Sequence, residues 1–149
     1  MNHGPGSRVH RFVEHIVTAT EADTAAVGRR LAPTLEPGTV VLLEGDLGAG
    51  KTAFVRGMAE GLGIDSADVS SPTFTIVQEY RGPGLTLQHV DLYRLTQAEV
   101  ADLALEDLID DRTVMAIEWP ERLPLAPAAT LVRVTLAHQP EGRVITIAR

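Results

Sequence analysis

The chain has 149 residues, 44% hydrophobic and only 4% aromatic, which is about one domain around an aliphatic core, and its formal net charge is −7. It has no cysteine, which excludes disulfides, thiolate metal sites and a cysteine nucleophile. No apolar run approaches the roughly 20 residues of a membrane span, and the acidic balance disfavours a broad nucleic-acid footprint, which needs a basic stripe; a cytoplasmic protein without a membrane partner is expected.

Met1-Asn2-His3-Gly4-Pro5-Gly6-Ser7 lacks the basic-then-apolar pattern of a secretory signal. Residues 1–8 read as a flexible leader before a single domain over 9–149. Val9–Val17 reads as a first strand. Thr20-Glu21-Ala22-Asp23 is a capping box that starts a helix, which Pro33 ends or kinks. After the turn Glu36-Pro37-Gly38, Thr39–Leu43 is a β-branched and aliphatic run of buried-strand type, and it feeds a glycine-rich loop. Phe54, Val55, Met58, Ala59 and Leu62 then recur at helical spacing, with Gly63 as the stop. Asp65–Ser71 is polar and reads as a loop. Thr73–Tyr80 and Leu85–Val90 flank a turn at Arg81-Gly82-Pro83-Gly84. Thr96 caps a short helix to about Ala104, with another from Leu105 to Ile109. Val114–Ile117 is a second buried strand that ends at Glu118. Thr130–Ala137 and Arg143–Ala148 form a terminal hairpin. Two hairpins added to strands around the loop predict an α/β fold with a mixed central sheet flanked by helices.

Gly45-Asp46-Leu47-Gly48-Ala49-Gly50-Lys51-Thr52 fits G-x-x-x-x-G-K-[ST], the P-loop or Walker A pattern. Glycines let successive N–H groups turn inward around phosphate oxygens, and the helix that follows points its positive end at the same anion. Lys51 is then placed to reach the β- and γ-phosphates of ATP, and the Thr52 hydroxyl to meet Mg²⁺. Lys51 is also the only lysine among 13 basic residues, which marks a site needing a compact ammonium rather than a guanidinium. A P-loop works with an acid at the end of a nearby strand. Glu118 and Asp91 both qualify, and spacing leaves open which holds Mg²⁺ and which orients water. Trp119 suits either packing or a place beside the site, and Asp46 and Glu44 read as helpers.

Four segments together, the P-loop, Ser71-Pro72-Thr73-Phe74-Thr75, His89-Val90-Asp91-Leu92-Tyr93-Arg94-Leu95 and Glu118-Trp119-Pro120, resemble the TsaE (YjeE) family of bacterial ATPases of tRNA threonylcarbamoyladenosine synthesis. The resemblance runs from about Thr18 to the terminal hairpin. It implies a nucleotide site of Gly45, Asp46, Leu47, Gly48, Ala49, Gly50, Lys51, Thr52 and Ala53, with Thr24 towards the base, for ATP or ADP. It implies Mg²⁺ at Thr52 and Glu118, an acid needed for ATPase action at Asp91, and Lys51 as a catalytic group. Ser71, Pro72 and Thr73 resemble a first nucleotide-responsive switch; His89, Tyr93 and Arg94 resemble a second, with Trp119 beside it. It further implies a TsaB/TsaD-type protein complex as partner, tRNA only indirectly through that complex, and weak ATPase action without it.

Other P-loop functions make different demands. A small P-loop kinase acting on a metabolite usually carries lid arginines; Arg94 and Arg122 are the obvious candidates here. A GTP switch commonly reads guanine with an Asn/Thr-Lys-x-Asp segment, which a chain whose only lysine is Lys51 cannot contain. A non-catalytic nucleotide-binding adaptor has no need of Glu118 and Asp91.

Overall fold

The structure, a computed structural model, describes residues 12–46, 48, 50–65, 67, 69 and 76–149. The described chain forms ten regular elements: β1 (Val13–Thr18), α1 (Glu21–Leu31), β2 (Val40–Glu44), α2 (Lys51–Gly61), β3 (Val77–Arg81), β4 (Thr86–Asp91), α3 (Gln97–Asp102), β5 (Thr113–Glu118), β6 (Leu131–Gln139) and β7 (Gly142–Ala148). The strands make one mixed sheet in the order β1-β7-β6-β2-β5-β4-β3. β4, β5, β2 and β6 run parallel to one another, and antiparallel partners close both sides.

The central strands are buried for a chemical reason. Val40, Val41, Leu42 and Leu43 of β2, and every residue of β5, lie inside, because parallel strands covered on both faces read as continuous apolar runs. On one face α1 and α2 pack Val27, Leu31, Phe54, Val55 and Met58 against Val41, Leu43, Val114, Val134 and Ile145. On the other, Val100 of α3 and Leu105 join Val40, Leu42, Val90, Met115 and Ile117. No helix of the described residues is long and apolar enough to cross a membrane.

The elements follow their sequence signals with shifts at the ends. Thr20 caps α1 through a reciprocal box: its hydroxyl accepts from Asp23 N–H at 3.1 Å and the Asp23 carboxylate accepts from Thr20 N–H at 3.2 Å. Pro33 falls in a 3₁₀ turn, Ala32–Thr34, just past the end of α1. α3 stops at Asp102, short of the Ala104 expected, because Ala104 itself is left-handed at φ 51°. Leu105–Leu108 is a 3₁₀ turn rather than an α-helix. β1 begins at Val13; residues 1–11, which carry the expected leader and the start of the first strand, lie outside the described residues, as does 70–75.

Because β2, β4, β5 and β6 are parallel, their carboxyl ends share one edge of the sheet. That edge receives the glycine-rich loop after β2, Asp91 at the end of β4, Glu118 at the end of β5, and the β6–β7 turn. In open α/β sheets the crevice beyond the strand carboxyl ends is where ligands bind.

Candidate functional site

The loop after β2 turns on glycines. Gly48 and Gly50 sit at φ 77° and 99°, backbone angles that side chains resist. Gly50 is the N-terminal cap of α2 and has no side-chain bond of its own to offer the first N–H groups of the helix. Lys51 and Thr52 occupy the first turn of that 11-residue helix, where the macrodipole favours an anion. Gly45, Asp46 and Gly48 line the approach, with Asp46 exposed, and Ala53 is buried behind Lys51 and Thr52. Leu47 and Ala49 lie outside the described residues.

Lys51 is the centre of the arrangement. Its side chain is 5% exposed, and its Nζ has no hydrogen-bond partner among the described residues. Nζ stands 4.0 Å from Glu118 Oε1 and 4.0 Å from the centroid of the Trp119 ring. Burial lowers the proton affinity of this ammonium, and the nearby carboxylates of Glu118, Asp91, Glu121 and Asp46 oppose that only in part. A buried cation held by a ring face and a distant carboxylate is under-satisfied.

Glu118 and Asp91 face one another across β5 and β4, directly paired in register. Glu118 is buried, and its Oε2 accepts a hydrogen bond from His89 Nε2 at 2.6 Å. Asp91 is half-buried; its Oδ1 accepts from the Tyr93 N–H at 3.0 Å. Desolvation raises the Asp91 carboxyl above its ordinary pKa of 3.8, the Tyr93 N–H works against the rise, and the Glu118 charge adds to it. Two carboxylates side by side near one ammonium match the hard-oxygen donor set that Mg²⁺ prefers, and Thr52 lies in the first turn of α2, next to Lys51. The residues present therefore fit a nucleotide phosphate chain with its metal.

Trp119 has a left-handed backbone at φ 60° and ψ 53°, a conformation a bulky residue adopts at a cost of about 1–3 kcal/mol. The turn it makes lays the indole against Lys51. Tyr93 also packs against the indole, its ring centroid 4.8 Å away at a tilt of 43°. Tyr93 is 40% exposed and Arg94 is exposed beside it. Contacts thus run from Lys51 through Trp119 to the half-exposed Tyr93.

Of the residues singled out from sequence, the structure brings together Lys51, Glu118, Asp91, His89, Trp119 and Tyr93. Thr24 stands behind Gly50, fully buried, with its hydroxyl bonded to the Thr18 hydroxyl at 3.0 Å. Arg94 makes no ion pair among the described residues. Ser71, Pro72 and Thr73 lie outside the described residues. One residue went unnoticed in the sequence: Arg143, at the start of β7, donates from Nη2 to the Gly48 carbonyl at 3.2 Å and lies against Gly50. It is distant in sequence and belongs to no motif, so only the strand order reveals it.

The family described as "Threonylcarbamoyl adenosine biosynthesis protein TsaE" matches residues 18–145. A Synechocystis protein named tRNA threonylcarbamoyladenosine biosynthesis protein TsaE is 50% identical over 105 residues, 68% of this chain and 66% of that protein's length. The protein of the same name from Treponema pallidum is 41% identical over 134 residues, covering 89% of this chain and 98% of that one. The crystal structure of Bacillus subtilis YdiB is similar with a TM-score of 0.72 at 32% identity, covering 95% of this chain and 88% of that one.

Proposed function

This chain belongs to the TsaE family, and from that premise we propose that it is an ATP-binding and ATP-hydrolysing switch that works with TsaB/TsaD-type partners in the threonylcarbamoyladenosine modification of tRNA. The observation that carries the reading is the Lys51 ammonium, buried and without a hydrogen-bond partner among the described residues at the mouth of the loop. A cation left in that state is stabilised by an anion that brings its own charge. The loop amides and the first turn of α2 suit a phosphate chain.

Each residue has a defined task in this reading. The backbone from Gly45 to Thr52 cradles the phosphates, and Lys51 neutralises the outermost ones. Thr52, Glu118 and Asp91 are the oxygen donors that would hold Mg²⁺, which when bound offsets charge on the phosphate oxygens. Asp91 or Glu118 is the acid that would orient the attacking water. Tyr93 and Arg94, at the surface end of the contacts that run from Lys51 through Trp119, would present the nucleotide state to the partner complex as part of the second responsive segment, with 71–73 as the first. The net charge of −7 suits docking to proteins better than gripping tRNA, which would be reached only through the complex.

The experiment is ATP turnover by the purified protein, alone and with a TsaB- and TsaD-like complex. Slow turnover alone and clear stimulation by the complex are expected, with Lys51→Ala abolishing the stimulated rate. Stimulated turnover that survives Lys51→Ala would sink the mechanism.

A further inference from the structure

Glu118 is held off Lys51. Its Oε1 stops 4.0 Å from the ammonium, beyond hydrogen-bond reach, although both groups are only 5% exposed and opposite charges in such a place attract strongly. A direct ammonium–carboxylate bond would close to about 2.8 Å. The other oxygen, Oε2, is taken by His89 Nε2 at 2.6 Å. His89 is fully buried, and its Nδ1 has no partner among the described residues. Glu118 is therefore the ring's one polar contact among those residues, and the bond to Glu118 is what offsets the cost of burying the imidazole.

The sheet fixes this geometry. His89 pairs with Ala116 and Asp91 with Glu118 across β4 and β5. Residues two apart share a face of the sheet, so His89 is the diagonal neighbour of Glu118, one step back from the carboxyl edge. From there it draws the carboxylate away from the loop. On the reading of the loop as an ATP site, we propose that His89 is a positioning residue whose hydrogen bond to Glu118 keeps the carboxylate from closing on Lys51, so that the ammonium stays free for phosphate. Without the imidazole, Glu118 swings onto Lys51, and a phosphate must break that pair before it can bind.

The test uses the full chain and magnesium-free ADP, with EDTA present so that metal binding by Glu118 does not enter. Calorimetry gives the ADP dissociation constant for the wild type, His89→Leu and the double variant His89→Leu/Glu118→Gln. His89→Leu should bind about tenfold more weakly, the size of one lost hydrogen bond to a charged group. Adding Glu118→Gln should restore most of that loss, because a neutral amide holds the ammonium much less tightly than a carboxylate does. A histidine that only supports the core would give no such rescue. His89→Phe, which keeps a ring and lacks the N–H, repeats the comparison should His89→Leu fail to fold. Unchanged affinity in the single variants, or no rescue in the double, overturns the proposal. A wild-type protein that binds no ADP instead overturns the ATP-site reading on which it rests.

Discussion

At the scale of single residues the site stores unfavourable charge. Lys51 is a cation in a dry pocket and Asp91 an anion pushed towards its neutral form by desolvation. On the proposed function, both charges are offset by what a nucleotide and its metal bring rather than by the fold. For Asp91 the sign can be worked through. Its folded pKa is raised above 3.8, so the folded state binds this proton more tightly than the unfolded state. The ionised carboxylate therefore costs stability above the folded pKa, and that cost fades as pH falls through it towards 3.8. Asp91→Asn removes the charge and keeps an oxygen for the Tyr93 N–H. Thermal melts of the nucleotide-free protein should show the variant more stable than wild type at pH 7, with the difference shrinking to nothing at acid pH. A variant less stable than wild type at pH 7 would mean that Asp91 supports the fold by some other contact. The same substitution should abolish ATP turnover, the usual trade between stability and a strained active site.

Among the elements, α1 and α2 pack backbone to backbone, and Gly28, Gly57 and Gly61 permit it. A Cβ built on Gly57 would meet the Ala25 carbonyl oxygen at 1.8 Å, and one on Gly28 the Phe54 carbonyl oxygen at 2.2 Å. Alanine improves helix propensity by about 1 kcal/mol over glycine, but overpacking a tight contact costs about 1–3 kcal/mol or more, and rigid backbone atoms cannot yield as side chains do. Gly57→Ala should therefore lower the denaturation midpoint by urea, a net loss of about 1–2 kcal/mol. A neutral or stabilising result would mean that the helices can separate freely. At this same scale the sequence was legible where the signal is local. The capping boxes at Thr20–Asp23 and Thr96–Glu99 mark α1 and α3, and the run Thr39–Leu43 marks β2 to within one residue at each end. Ala104 defeats the helix expected across it because nothing in its neighbours announces a left-handed turn. These glycines were illegible, since each is meaningful only against the other helix. The loop, Lys51, Glu118 and Asp91 could be singled out because their types and positions carry the chemistry. The roles of His89 and Arg143 could not, because His89 meets Glu118 across 29 residues and Arg143 meets Gly48 across 95, contacts that exist only after the sheet has chosen its strand order.

For the whole molecule, that strand order decides what a ligand does. β1 and β7 pair across the full length of the chain, while β2 sits between β5 and β6. The loop therefore hangs from the central strand, and its neighbours at the carboxyl edge come from β4, β5 and the β6–β7 hairpin. A ligand held by Lys51, Glu118 and the α2 terminus bridges segments that separate only when the sheet comes apart. Binding should thus oppose global unfolding, not local fraying. At 100 times its dissociation constant, ADP with Mg²⁺ should stabilise the fold by about 2.7 kcal/mol. For a chain of this size that is a rise in Tm of roughly 5–10 °C. The rise should be logarithmic in ligand concentration, as mass action requires, and it should be lost in Lys51→Ala at the same concentration. Differential scanning fluorimetry over a titration of ADP measures it directly. If the wild-type Tm were flat across the titration, the loop would not be holding a nucleotide, and the converging edge of the sheet would have to serve some other ligand.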